Sequence, residues 1–214
     1  MTAVVVRPAV SVIPVRDGRE GLEVFVQHRQ HTMDFAAGVA VFPGGRCDPG
    51  DEAKGADLPL SQELESEHVR RWSDLDGPVA DATGRARTRI ATGLRELAEE
   101  TGYEAGPGDL LPWDCWVTPE GSPKRFDVAF FVLAIGPDGP QPRHQTTEAV
   151  DSRWEGITAL LTDHAEGRTR LMTPTRVLLE ELQALGDVAT VLALRPVITG
   201  VRDDRAGGRP RATQ

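Results

Sequence analysis

The sequence lacks the features that mark secreted and membrane-spanning proteins. Its 214 residues include only two cysteines, Cys47 and Cys115, whose spacing fits neither a metal site nor a disulfide framework. A reducing cytoplasm is therefore the expected compartment. No apolar run approaches the length that crosses a bilayer, and residues 1–15 read as a strand, without the basic segment and cleavage site of a signal peptide. We expect a soluble chain with no membrane partner.

Positive charge is also scarce in this chain. The 33 acidic residues outnumber the 24 lysines and arginines, which gives a formal net charge of −9. Broad nucleic-acid binding needs a basic surface, so nucleic acid is not an expected partner. A small anionic substrate stays compatible with this charge, provided that a few arginines or a bound divalent cation concentrate positive charge locally.

What the chain does contain is a mixture of strand-like and helix-like segments. Segments rich in β-branched and aromatic residues predict strands at 3–16, 22–29, 38–42, 110–117, 126–135 and 188–194. Apolar periodicity predicts helices at 85–101, 155–166 and 174–185, with one short helix inside the acidic stretch 46–86. The mixture indicates an α/β domain with a mixed sheet. Residues 202–214 show no apolar periodicity, which predicts a disordered tail.

The segment 90–101 separates an apolar face from an acidic face on a helical wheel. The acidic face holds Glu96, Glu99 and Glu100. Like charges repel at this spacing, and a hard divalent cation would offset the repulsion, because such ions prefer oxygen ligands. The alternative is a solvated acidic face without a function. The apolar face, which should pack on a sheet, holds Ile90, Leu94, Leu97, Ala98 and Thr101.

The residues around this triplet resemble the Nudix box, G-x5-E-x7-R-E-U-x-E-E-x-G-U, in which U is a large apolar residue. Residues 95–103, RELAEETGY, match every fixed position of its second half, with an aromatic residue at the last U. Gly45 begins the first half, and Asp51 stands where the box has its first glutamate. The preceding FPGG of residues 42–45 is also typical of the family. The chain departs from the box in one respect, because 43 residues separate Asp51 from Arg95 where the pattern has x7.

The resemblance implies a single Nudix domain over residues 1–201, folded as an α/β/α sandwich with a mixed sheet. The additional residues of the box would form a helical insertion at 52–86. Such an insertion is tolerable if it loops out between the glycine turn and the helix, since closing a longer loop adds little entropy cost. Whether the insertion mediates a homodimer is left open by the sequence.

The resemblance also implies a mechanism, because the box of Nudix hydrolases holds Mg²⁺ or Mn²⁺ against a small-molecule nucleoside diphosphate derivative. By this resemblance Glu99 and Glu100 are the principal metal ligands, and Glu96 is a further ligand or the base for the attacking water. The carbonyl group of Gly44 would complete the metal site. Arg95 would orient a carboxylate through a bidentate pair. The metal would neutralise the charge of the diphosphate and activate water.

Many Nudix hydrolases recruit a further catalytic acid from outside the box. Glu148 is the candidate here, because it precedes a strand-like segment that ends at Trp154. The alternative for Glu148 is an ordinary glutamate of a surface loop. His144 lies close to it in sequence, whereas the other histidines show no shared spacing and are interpreted as surface or packing residues.

One group within the family, the coenzyme A diphosphatases, has an upstream motif that this chain resembles in part. Arg29, Gly38 and the FPGG segment fall at the spacing of that motif, whereas Gln30 and Asp34 depart from it. This resemblance implies that Arg29 and Gly38 contact the substrate. The alternative for Arg29 is an exposed arginine at the end of a strand.

Two downstream segments, WVTP at 116–119 and RFDVAFF at 125–131, are also similar to the coenzyme A group. Arg125 would then contact a phosphate group, and pairing with Asp127 is the alternative. The long insertion resembles that of the larger, peroxisomal-type members found in animals. The tryptophans are interpreted as packing residues, although one or two could enclose an adenine ring.

Three functions are therefore compatible with the sequence. The first is hydrolysis of coenzyme A or an acyl derivative, and the second is the same chemistry on ADP-ribose, a dinucleotide or a nucleotide sugar. The third is a non-catalytic Nudix module that binds a nucleotide and regulates a partner. The complete set of Arg95, Glu96, Glu99 and Glu100 favours an enzyme, because a module that only binds has no need of all four.

Overall fold

A computed structural model describes residues 4–29, 39–76, 81–145, 149–196 and 198–200. Three of the sequence-based predictions, for Gly38, for Glu148 and for the tail 202–214, lie outside these residues. The strands are β1 (Val6–Gly18), β2 (Gly21–Arg29), β3 (Val39–Val41), β4 (Gly44–Arg46), β5 (Leu111–Val117), β6 (Arg125–Ala134), β7 (Ala149–Gly156) and β8 (Arg170–Leu171). The α-helices are α1 (Pro49–Ala56), α2 (Gln62–Asp76), α3 (Ala82–Thr101), α4 (Ile157–Ala165), α5 (Thr173–Leu185) and α6 (Val188–Ala193).

The sheet is organised by two long strands that start as a tight hairpin and then diverge. β1 and β2 pair with each other only from Val15 and Val24 to the turn between Gly18 and Gly21. Beyond that point β2 pairs with β3, whereas β1 pairs with β4. The chain between β3 and β4 crosses the resulting gap. This gap is the structural origin of the cleft described below.

Helices cover both faces of this sheet. Side chains alternate between the faces along a strand, so Val10 and Val12 of β1 join one core, whereas Ile13 and Val15 join the other. α2 and α3 cover the first core, and α4, α5 and α6 cover the second. β1 pairs with β6 and β3 with β8 in parallel, whereas the other pairs are antiparallel. The predicted α/β/α sandwich with a mixed sheet is therefore confirmed.

The predicted strand at 188–194 is wrong, because these residues form helix α6. The side chain of Asp187 accepts a hydrogen bond from the Thr190 backbone N–H at 2.7 Å and so caps the start of the helix. A short apolar run such as VATVLA does not distinguish a strand from a buried helix by its pattern. The cap supplied by Asp187 favours the helix.

The acidic stretch 46–86 contains two helices, α1 and α2, followed by the start of α3, instead of the single short helix that was predicted. The buried face of α2 forms part of the core that also contains Val10 and Val12. The side chain of Trp72 is fully buried and packs edge-to-face on Phe131, with 5.6 Å between the ring centroids. His68 is also buried, and burial together with Arg71 lowers its pKa to about 4, so its ring is neutral at pH 7.

Arg87 of α3 fastens the chain between α1 and α2 to the rest of the domain. Its Nη1 donates to the carbonyl groups of Gly55, Ala56 and Leu58, at distances from 3.0 to 3.2 Å. Its Nε lies 2.5 Å from the Glu65 carboxylate. The segment between the two halves of the box-like sequence is thus packed against α3. No helix in the described part of the chain is long and apolar enough to cross a membrane.

Candidate active site

An ion pair joins the two halves of the box-like sequence. The Asp51 carboxylate, which belongs to a residue only 1% exposed, accepts hydrogen bonds from Nε and Nη2 of Arg95 at 2.7 and 2.9 Å. The hydroxyl group of Thr92 donates to the same carboxylate at 3.0 Å, and the Asp48 backbone N–H donates at 2.9 Å. Arg95 therefore makes a bidentate pair, and 43 residues separate it from its partner in the sequence.

Both members of this pair are charged at neutral pH. Burial raises the pKa of the Asp51 carboxyl, but hydrogen bonds from Arg95, the Asp48 backbone and Thr92 lower it by more, so that it lies below the ordinary value of 3.8. The hydrogen bond to Asp51 raises the pKa of the Arg95 guanidinium above its ordinary value. The pair is therefore a fixed connection between α1 and α3.

Arg95 also contacts two of the three glutamates on the acidic face of α3. Its Nη1 lies 2.9 Å from Oε1 of Glu96 and 3.1 Å from Oε2 of Glu99. Its Nη2 donates to the backbone carbonyl group of Arg46 at 3.1 Å. The side chain of Glu96 is 13% exposed and burial raises its pKa, which Arg95 opposes, whereas the side chain of Glu99 is 61% exposed.

Glu100 is held by different partners. Its Oε2 accepts a hydrogen bond from the backbone N–H of Gly44 at 2.9 Å and another from Nε2 of Gln27 at 3.2 Å. Gln27 lies on β2 and is 4% exposed. The carboxylate of Glu100 is thus oriented jointly by the glycine turn and by the sheet.

Gly44 lies where the backbone passes closest to β1. A Cβ atom on this residue would lie 2.3 Å from the Val10 carbonyl oxygen and 2.7 Å from Cα of Ser11, and its φ is +154°. The carbonyl group of the preceding Pro43 accepts from the Val12 backbone N–H at 2.9 Å. Only glycine fits this position, because the contacting atoms belong to backbone and cannot move aside.

Gly45 lies directly against the carboxylate of Glu96. A Cβ atom on Gly45 would be 2.2 Å from Oε1 of Glu96. We expect Gly45→Ala to push this flexible carboxylate aside and to lower kcat about 10²-fold at little cost in Tm, since small displacements of a reacting group are expensive in rate. Gly50→Ala is the matched control, because nothing lies within 4 Å of its Cβ position. Equal kcat for both variants would show that the position of Glu96 is unimportant.

A cleft of about 730 Å³ opens beside these residues, at the gap between β1 and β2. One wall is apolar and includes Trp116, Phe126 and Phe130. The indole N–H of Trp116 donates to the carboxylate of the buried Asp114 at 3.0 Å, which fixes the plane of the ring. The charged residues of the lining are Arg29, Arg46, Arg170, Asp48, Glu96 and Glu100.

The structure brings together some, but not all, of the site residues named from the sequence. Those that line the cleft are Gly44, Glu96, Glu100 and Arg29. Arg95 lies behind the lining and braces it through Asp51. The exposed Glu99 pairs with Arg95 and is not part of the lining.

Arg125 does not line the cleft in the described part of the chain. Its Nε donates to the carbonyl group of Thr118 at 3.0 Å, across the hairpin of β5 and β6. The alternative of a pair with Asp127 also differs from the structure, because Oδ1 of Asp127 is 2.9 Å from Sγ of Cys115. His144 has its Nδ1 2.9 Å from the hydroxyl group of Ser152.

The carboxylates of α3 do not form a complete metal site by themselves. Among the described residues, no three Asp, Glu, His or Cys side chains are grouped so that they could hold an ion. Glu96 and Glu100, however, both reach the cleft. Mg²⁺ is commonly held by one or two carboxylates together with water and substrate phosphates. The residues present therefore fit an ion that shares its coordination with a bound phosphate compound.

Sequence reasoning missed Gln27, Asp114 and the cleft residues of β8 and α5. Gln27 directly follows the apolar run VFV of β2 and precedes His28 and Arg29, so its sequence position did not indicate that the sheet buries it. Asp114 likewise lies between two tryptophans in a buried strand. Residues of β8 and α5 line the cleft only because the tertiary fold brings these two elements there. No local sequence pattern therefore indicated them.

No protein-family model and no curated protein matches this chain. Its structure does resemble solved structures. The crystal structure of a Nudix hydrolase from Alicyclobacillus acidocaldarius has a TM-score of 0.71 at 23% identity, over 90% of this chain and 97% of that one. The chain therefore has the Nudix fold.

Two further solved structures resemble this chain more weakly. The MutT protein of Methanosarcina mazei Go1 has a TM-score of 0.48 at 15% identity, over 86% of this chain and 97% of that one. A binary complex of the Ap4A hydrolase of C. elegans has a TM-score of 0.47 at 15% identity, over 84% and 96% of the two chains.

Proposed function

We propose that this protein is a Nudix hydrolase that uses Mg²⁺ or Mn²⁺ to cleave a diphosphate bond in a nucleoside diphosphate derivative. The observation that carries the proposal is the bidentate pair of Asp51 and Arg95, at 2.7 and 2.9 Å. It joins the two halves of the box-like sequence in space and leaves Glu96 and Glu100 at the cleft. The complete set of Arg95, Glu96, Glu99 and Glu100 favours an enzyme over a module that only binds.

In this proposal the residues of the chain have three roles. They would hold the metal, orient its ligands and take a proton from the attacking water. Glu96, Glu100 and the carbonyl group of Gly44 would hold the metal, and Glu99, which pairs with Arg95, would be a further ligand if its side chain turned towards the ion. A bound divalent ion supplies charge neutralisation and a more acidic water. The carboxylate of Glu96 accepts the proton of the attacking water, with Glu148 as the further candidate acid outside the described residues. The N–H of Gly44 and the amide of Gln27 keep Glu100 in place.

For the substrate we propose coenzyme A or an acyl derivative, cleaved to 3′,5′-ADP and a phosphopantetheine product. The support is the spacing of Arg29, Gly38 and FPGG, together with Arg29 in the lining and the wall of Trp116, Phe126 and Phe130. A flat aromatic surface suits an adenine ring. Arg125 would help to position the lining residue Thr118, whose carbonyl group it holds. The alternatives are ADP-ribose, dinucleotides and nucleotide sugars.

The test is a hydrolysis screen of the purified full chain with Mg²⁺, with Mn²⁺ and with EDTA. The substrates are coenzyme A, acetyl-coenzyme A, ADP-ribose, NADH, diadenosine polyphosphates and nucleoside triphosphates. We expect metal-dependent cleavage with the highest kcat/KM on the coenzyme A compounds. A higher kcat/KM on another diphosphate would support the proposed reaction and would identify that compound, instead of coenzyme A, as the substrate. Ligand binding without any cleavage would favour the regulatory module.

A further inference from the structure

Arg46 is a charged residue of the cleft that lies close to the acidic face of α3. It ends β4, the short strand that begins with Gly44, and it is exposed and lines the cleft. Within the described part of the chain its guanidinium group makes no hydrogen bond and no ion pair. This guanidinium group is therefore available to an anion that enters the cleft.

The backbone of Arg46 is held from two sides. Arg46 lies opposite Ala9 in the antiparallel pairing of β4 with β1, and the next residue, Cys47, donates its backbone N–H to the Pro8 carbonyl group at 3.0 Å. On the other side, Nη2 of Arg95 donates to the Arg46 carbonyl group at 3.1 Å. The point from which the Arg46 side chain extends is thus fixed by the sheet and by the arginine that joins the two halves of the box-like sequence.

The strand register places Arg46 at one end of a row that crosses the cleft face of the sheet. Residues opposite each other on neighbouring strands share one face. Three strand spacings put the Cα atoms at the two ends of the row roughly 14 Å apart. The row consists, in order, of Arg46 of β4, Ala9 of β1, Val128 of β6 and Trp116 of β5, and all four line the cleft.

Gly45, the residue before Arg46, faces the opposite side of β4. A Cβ atom on Gly45 would point at the carboxylate of Glu96. Because side chains alternate along a strand, Arg46 and Glu96 lie on opposite sides of β4, although both reach the cleft. The strand thus keeps the two opposite charges from pairing with each other. A phosphate group bound at this strand could be reached by both.

The middle of the row is low, because the side chain of Ala9 is a single methyl group. Ser11, the next residue of β1 on this face, is also small and also lines the cleft. The cleft face therefore has an aromatic ring, Trp116, at one end, small side chains in the middle and a cation, Arg46, at the other end. This order suits an extended ligand that has a planar group at one end and a phosphate group at the other.

We propose that Arg46 is a catalytic residue that binds the scissile diphosphate and stabilises the charge of the phosphate group that leaves. This inference rests on the proposed function for the reaction itself. In that reaction the water oxygen forms a bond to one phosphorus atom, and the bond from this atom to the bridging oxygen breaks. The electron pair of the broken bond stays on the leaving phosphate, and the proton of the water goes to the carboxylate of Glu96. Arg46 donates hydrogen bonds to the leaving phosphate and transfers no proton, because arginine stays charged in proteins.

The contact should strengthen during the reaction, since negative charge accumulates on the leaving phosphate as the bond breaks. A donor placed where charge develops lowers the barrier more than it strengthens ground-state binding. We expect Arg46→Gln to lower kcat on the preferred diphosphate about 10²-fold. Tm should stay unchanged, because the guanidinium group has no partner in the described part of the fold. Arg46→Lys keeps a positive charge and should recover at least about tenfold of the loss.

Arg168→Gln is the matched control for the loss of one positive charge. Arg168 is exposed, pairs with Asp163 and does not line the cleft, so its substitution should leave kcat and KM unaltered. A second measurement does not depend on hydrolysis. α,β-Methylene-ADP, in which carbon replaces the bridging oxygen, is titrated into the full chain by isothermal titration calorimetry in a Mg²⁺ buffer. Arg46→Gln should bind it at least about fivefold more weakly, and Arg168→Gln should bind it within about twofold of the unaltered protein.

Three outcomes would overturn the catalytic role of Arg46 in an active enzyme. One is an Arg46→Gln variant whose kcat, KM and affinity for the analogue equal those of Arg168→Gln. Another is a raised KM with unchanged kcat, which would limit Arg46 to ground-state binding. The third is an Arg46→Lys variant no more active than Arg46→Gln, which would contradict a role of the charge.

The two measurements also distinguish this inference from the proposed function. Hydrolysis by the unaltered protein together with a fully active Arg46→Gln variant would reject the role of Arg46 and keep the proposed reaction. The absence of hydrolysis on every substrate would reject the reaction and the catalytic role together. Binding of α,β-methylene-ADP that depends on Arg46 would in that case still support the contact with the diphosphate.

Discussion

Glu100→Gln should lower kcat on the preferred diphosphate about 10³-fold, with a change in Tm of no more than a few degrees. The glutamine keeps an oxygen that accepts from the Gly44 N–H and the Gln27 amide, which lie 2.9 and 3.2 Å from the carboxylate of Glu100. It loses the negative charge that a divalent ion requires. The measurement is kcat at saturating substrate and Mg²⁺, alongside thermal unfolding of the same preparation.

Glu104→Gln is the matched control for this substitution. Glu104 is exposed, lies just after the end of α3 and is not part of the cleft lining, so the same chemical change there should leave kcat unaltered. The same measurement is made on Glu99→Gln, for which the sequence resemblance also predicts a large loss. Activity close to that of the unaltered protein in both Glu99→Gln and Glu100→Gln would contradict the metal site.

Asp51→Asn should lower the free energy of unfolding by about 3 kcal/mol at pH 7, because it leaves the charge of Arg95 without its buried partner. The Asp51 carboxylate is 1% exposed and receives hydrogen bonds from Arg95, Thr92 and the Asp48 backbone. Chemical denaturation gives the free energy directly. Asp57→Asn, at the exposed position that ends the same helix, is the control.

The effect of Asp51→Asn should depend on pH in a defined direction. The pKa of Asp51 is lowered in the folded protein, so its contribution to stability is fully present above the unfolded value of about 3.9. The contribution is lost as the pH falls through the lower folded pKa. The difference in unfolding free energy between the two proteins should therefore be constant from pH 5 to 7 and should shrink below pH 4. If Asp51→Asn lowered the unfolding free energy at pH 7 no more than Asp57→Asn does, the stabilising role of the pair of Asp51 and Arg95 would be contradicted.

The faces of α3 could be predicted from the sequence because they depend only on the period of a helix. Ile90, Leu97 and Thr101 are buried as expected, and Glu99 is exposed on the opposite side. Leu94 and Ala98 are only partly buried, whereas the flank at Thr92, which the sequence pattern assigned to neither face, is fully buried. The reason is that α1 packs against α3 and covers that flank, which no pattern within α3 could indicate.

The residues of the box could be identified from the sequence, but their assembly could not. Residues 95–103 match the second half of the box by spacing alone. The pairing of Asp51 with Arg95 across 43 residues depends on where α1 and α2 pack, through Trp72 on Phe131 and Arg87 on the α1 carbonyl groups. Such contacts are long-range, so a search for local patterns does not detect them.

By itself the sequence determined the α/β class, the helix that carries the glutamates and the glycine turn beside them, since each is encoded within a short window. Only the tertiary structure decided which side chains share the cleft. It brought Gln27 to Glu100, separated Glu99 from the lining, and added Arg170 and the start of α5 to that lining. The physical reason is that a cleft is formed by packing between distant elements, whereas a motif is a property of neighbouring residues.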